Sequence, residues 1–161
     1  MLPVEIFYAI LALCCSYAAV RGGAPERIGA AIFLGAAILT TAALSAPSAR
    51  WGAIEIGVFA VDVAMLVALF ALALSAERLW PLWVTALQLI GTAGHAAKLA
   101  SPEVIREAYA FVMAFWSYPM LSLLVFGTWN HQKRLAKFGV DKSWSSSSGR
   151  SETRPPTGPI V

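Results

Sequence analysis

The chain has 161 residues, 58% hydrophobic and 13% charged, with a formal net charge of +3 and a mean hydropathy of +0.68. A soluble domain carries about 25% charged residues, so this length holds one domain with most of its residues in lipid, and a large soluble catalytic domain is excluded. The basic residues flank apolar segments and form no stripe with interleaved aromatics, which argues against nucleic acid as a partner and for topology signals.

Five apolar runs follow one another, at about 4–20, 28–46, 53–76, 81–100 and 103–128. Each is near the length that spans a bilayer as helix. The fold class expected is therefore all-α: an integral membrane bundle of five helices in a transmembrane domain, 1–138, followed by a tail. The first run contains Cys14 and Cys15. Neighbours on a helix point in different directions, so they read as small buried residues and not as a disulfide. No Lys or Arg precedes this run, so it lacks the basic start of a cleaved signal peptide. The link Arg21 to Arg27, with its Gly-Gly-Ala-Pro centre, breaks the chain before the second run. Ala31 and Gly35 there, and Ala60, Ala64 and Ala68 in the third run, form small-residue ridges suited to close helix packing.

Asp62 stands in the middle of the third run. A carboxylate at a helix centre costs about 2.5–3.5 kcal/mol on insertion scales, and the ten Leu, Val and Phe residues around it return roughly 3–6 kcal/mol. The segment can enter the membrane, but Asp62 must face protein, water or a ligand. On the fourth run Thr85, Gln88, Thr92 and His95 recur at helical spacing and form one polar stripe. The link between the two runs is short, so the helices should lie antiparallel with Asp62 against that stripe. Pro119 falls inside the fifth run and should kink it. Residues 139–161 are rich in Ser, Gly and Pro and read as a disordered tail.

Placing the C-terminus in the cytoplasm puts Arg21, Arg27, Arg78 and six C-terminal Lys and Arg residues inside, against Arg50, Lys98 and Arg106 outside. That bias predicts an N-out, C-in topology in a bacterial inner membrane. Trp51 then falls at the outer boundary, and Trp80, Trp83 and Trp129 at the inner one, as an aromatic girdle. At 1.5 Å per residue, Asp62 lies about 13 Å below the outer boundary, His95 about 8 Å and Gln88 about 18 Å, with Glu55, Lys98 and Glu107 nearer the surface. The ionisable groups within the spans thus gather in the outer half, and the inner half is expected to be nearly free of charge.

Asp62, His95, Gln88, Glu55, Lys98 and Glu107 are the candidate ligand- or proton-binding residues. Only His95 is an intramembrane histidine, so a bis-His haem held by this chain alone is excluded, while a single-ligand haem or chlorophyll at His95 stays open. No phosphate-binding, zinc-protease or serine-hydrolase motif is present. The leading functional expectation is a small non-enzymatic membrane protein, either ligand- or cation-binding or an accessory subunit of a larger complex. A homo-oligomeric proton-coupled carrier and an intramembrane enzyme acting on a lipid or isoprenoid are the alternatives. The expected partners are the bilayer and either further copies of the chain or other membrane subunits.

Overall fold

The computed structural model describes residues 4–43, 56–100, 106–141, 143 and 144; for 96–100 and 106–114 it describes the backbone only. The chain is all-helical. Five helices run α1 (Val4–Arg21), α2 (Ala24–Ala43), α3 (Ile56–Ser75), α4 (Trp80–Ala100) and α5 (Arg106–Phe138). Among the described residues, α1, α2 and α3 are long and apolar enough to cross a membrane.

The helices stand in a ring in chain order, each packed on the next, and α1 closes the ring against α5. Sequential neighbours are antiparallel. An odd number of alternating helices forces the closing pair to be parallel. Two contacts at constant offset show this: Phe7 packs edge-on against Tyr118, and Gln132 donates its side-chain amide to the Arg21 carbonyl. The core inside the ring is built from Leu11, Cys15, Phe33, Leu69, Val84 and Leu124, with Trp80 at one end.

That end collects the α1–α2 turn, the α3–α4 link and the C-terminus of α5, and it carries Arg21, Arg27, Arg78, Lys133, Arg134 and Lys137. Here α2 starts at Ala24, four residues before the apolar run. Its first turn accommodates Pro25, whose fixed φ suits a helix start and whose missing N–H is not needed there. Glu26 caps it: Oε2 accepts the Gly23 N–H at 3.0 Å, which is one half of a capping box.

Helix α5 continues unbroken through Pro119 and past the end of the apolar run, for 33 residues in all. It ends at Gly139, whose φ of 71° is the left-handed geometry glycine adopts without strain. The Gly139 N–H closes the last turn on the Leu135 carbonyl at 2.9 Å. The following residues fold back onto the α3–α4 link. Glu77 donates its N–H to the Ser143 carbonyl at 3.3 Å, beside an isolated bridge between Ala76 and Trp144. The segment expected to be a free tail from 139 onward is thus docked at Asp141 and Ser143, and its remainder lies outside the described residues.

The small-residue ridges do not pack inside the ring. Ala31, Ala60 and Ala64 are exposed, and a Cβ built on Gly35 would meet nothing within 4 Å.

Candidate functional site

The polar stripe of α4 faces inward: Thr85, Gln88, Thr92 and His95 are all buried. Its two threonines are satisfied within the helix. Thr85 donates to the Pro81 carbonyl at 2.7 Å and Thr92 to the Gln88 carbonyl at 2.9 Å. The other two reach α3. His95 Nε2 lies 2.7 Å from Asp62 Oδ2. Gln88 donates to the Asp62 backbone carbonyl at 3.2 Å and, more weakly, to Asp62 Oδ1 at 3.4 Å. Phe59 packs its ring on His95 with centroids 5.6 Å apart.

Asp62 therefore meets α4 at the level the antiparallel register predicts. Chemically, the site brings an imidazole nitrogen and a carboxylate oxygen to hydrogen-bonding distance, with the Gln88 amide against the same aspartate. The Nε2 atom that would ligate an axial metal is the one held by Asp62, so a haem or chlorophyll at His95 through Nε2 has to break this contact. Glu55 lies outside the described residues. Lys98 and Glu107 fall on α4 and α5, but their side chains lie outside the description. Among the described residues no group of three or more His, Cys, Asp or Glu could hold a metal ion.

A second cluster sits at the basic end, in the links and helix ends outside the apolar runs, where the basic residues read only as topology signals. Glu26 is fully buried. Its Oε1 accepts the Trp80 indole N–H at 3.0 Å and lies 3.5 Å from Arg78 Nε. Arg78 grips Asp141 through Nη1, 2.8 Å from Oδ1, and Nη2, 2.7 Å from Oδ2. The same carboxylate takes His131 Nδ1 at 2.6 Å and Arg134 Nε at 2.9 Å. One aspartate thus ties the α3–α4 link to α5. Burial alone would raise its carboxyl, but hydrogen bonds from Arg134, His131 and Arg78 hold it below its ordinary value of 3.8.

Trp80 is not part of an interfacial girdle. It is 5% exposed, whereas Trp83 and Trp129 are 65% and 48% exposed. Its ring is wedged between α2 and α5: a Cβ on Gly29 would come within 2.6 Å of it and one on Gly127 within 2.4 Å. Beside this wedge a cleft of about 410 Å³ opens between α4 and α5, with Trp83, Leu123 and Phe126 on its apolar wall and Arg78, Asn130 and Arg134 on its polar rim.

Sequence reasoning missed this cluster because Arg78 read as a topology signal and Trp80 as a girdle residue. One signal was present. Each segment at this end pairs opposite charges: Glu26 with Arg27, Glu77 with Arg78, Arg134 with Asp141. A pure topology signal needs no acids. No protein-family model, curated protein or solved structure matches the chain.

Proposed function

We propose that the chain is a small non-enzymatic membrane protein whose five helices cross a bacterial inner membrane, N-out and C-in, and that it binds a proton or small cation at Asp62 and His95 as a subunit of a larger membrane assembly. The observation that carries this reading is the 2.7 Å contact between His95 Nε2 and Asp62 Oδ2. Asp62 lies on α3, one of the helices apolar enough to cross a membrane, where an ionisable residue is expensive and marks an ion or ligand site, and His95 is buried against it. Structural register alone is served by cheaper neutral pairs such as a threonine on a carbonyl.

The subunit aspect draws on exposure. His95 is 4% exposed, but the Asp62 side chain keeps 25% of its surface uncovered by this chain. A lipid tail is a poor neighbour for a carboxylate. A second protein surface or held water fills that place better. The same exposure favours one alternative, a homo-oligomeric proton-coupled carrier, in which the path runs between copies past Asp62.

The test pairs stability with pH response. Asp62→Asn keeps hydrogen bonding without the charge, so it should fold and accumulate while losing pH-dependent binding of ion or partner. His95→Ala should shift that pH dependence. If both variants only lower the melting temperature in detergent and leave the pH response unchanged, the pair is structural and the reading fails. Topology is checked separately: in a cysteine-free variant, S146C should react with an impermeant thiol reagent only after cells are opened.

A further inference from the structure

We infer that the cleft between α4 and α5 at the basic end holds the head group of an acidic phospholipid, with the phosphate at Arg78 and Arg134 and the acyl chains along the open apolar wall. The inference rests on the proposed membrane placement, which puts this end at the cytoplasmic leaflet, where anionic lipids and basic pockets between helices meet.

Three observations carry it. The cleft is amphipathic in the right sense: its guanidinium rim lies toward the helix ends, and its Trp83 and Phe126 wall, 65% and 52% exposed, opens to the outside of the ring. The rim is a built anion site. The carboxylate of Asp141 is already held there by Arg78, Arg134 and His131 at 2.6–2.9 Å, which is the bidentate geometry that guanidinium groups also offer phosphate. Finally, the rim retains donor capacity. Arg134 keeps 39% of its side-chain surface exposed and engages Asp141 through Nε, which leaves its terminal nitrogens to face the cleft it lines. Glu77 also lines the cleft and opposes an anion. Arg21, Arg27 and Lys133 at the same end outweigh it.

The full-length protein in detergent is titrated with phosphatidylglycerol, phosphatidylcholine or inorganic phosphate and followed by native mass spectrometry and melting temperature. One phosphatidylglycerol should bind saturably and raise the melting temperature, with phosphatidylcholine at least tenfold weaker. Arg134→Gln should weaken phosphatidylglycerol roughly fivefold, the worth of one cationic side chain at a head group. Lys137→Gln, the same charge change away from the cleft, should leave it unaltered. Asp141→Asn should tighten it, because the competing carboxylate is gone. Equal losses in Arg134→Gln and Lys137→Gln, or equal binding of both lipids, would overturn the site. Full stabilisation by inorganic phosphate alone would overturn the lipid. A protein absent from the membrane fraction would instead sink the membrane placement itself.

Discussion

Replacing Glu26 by alanine should be among the most damaging single changes in the chain. Glu26 is fully buried and takes the Gly23 N–H and the Trp80 indole N–H at 3.0 Å each, with Arg78 Nε at 3.5 Å. Alanine leaves two donors without an acceptor, at about 1–3 kcal/mol apiece, and removes one partner of a buried ion pair, for which about 3–5 kcal/mol is typical. These costs overlap, and Arg78 keeps Asp141. The expected loss is therefore about 3–5 kcal/mol in total. Glu26→Gln preserves the volume and one carbonyl acceptor but turns an amide N–H₂ toward existing donors, so about 1–3 kcal/mol is expected.

Trp80→Phe isolates the indole bond. It removes the N–H and keeps most of the ring between Gly29 and Gly127. A double-mutant cycle of Glu26→Ala and Trp80→Phe should give a coupling of about 1.5–3 kcal/mol, the range for hydrogen bonds to charged groups. The assay is reversible unfolding in mixed micelles followed by far-UV circular dichroism. A Glu26→Ala loss below about 1 kcal/mol, or a coupling near zero, would refute the view that this carboxylate organises the basic end.

Other outcomes follow from the same geometry. Gly127→Ala and Gly29→Ala drive a methyl into the Trp80 ring, at 2.4 and 2.6 Å, and should each cost about 1–3 kcal/mol; Gly91→Ala, with nothing within 4 Å, should be neutral or gain up to about 1 kcal/mol, and melting temperatures in that reversed order would contradict the wedge. Because Asp141 is held below its ordinary 3.8, its stabilisation is complete above the unfolded carboxyl value and disappears as pH falls through the lower folded value. The melting temperature should therefore drop as pH falls below about 4; Asp141→Asn should melt lower at neutral pH and show a flatter acid limb, and an acid limb identical to wild type would remove Asp141 from the account.

The helices were legible because each is an apolar run with polar punctuation, and lipid demands that length. Asp62 and its partners were legible for a second reason. α3 and α4 are consecutive and joined by a short link, so antiparallel register alone brings Asp62 to the level of Gln88 and His95. The basic-end cluster draws on four separate segments: Glu26 from α2, Arg78 from the α3–α4 link, His131 and Arg134 from α5, and Asp141 beyond it. Periodicity reports which face a residue occupies, not which distant link it meets. Only ring closure, with α5 parallel to α1, fixes that meeting. Asp141 was hidden further by composition, since a Ser-rich stretch begins two residues later and the whole segment read as solvent-facing.

The two clusters differ in how firmly they are determined, and that difference bears on function. Asp141 has its oxygens fixed by three side chains from two parts of the ring, and only 6% of its side chain is exposed. Losing any one donor leaves the others in place. Among the described residues, Asp62 has side-chain partners from α4 alone, and a quarter of its own side chain is uncovered. A change of protonation there perturbs one helix pair, about 22 Å along α4 from the Trp80 wedge, while the far end stays clamped. The proposed binding role draws on this contrast: a firmly held base is joined to one partly uncovered carboxylate, and the Asp62→Asn variant tests whether the fold survives the loss of that charge.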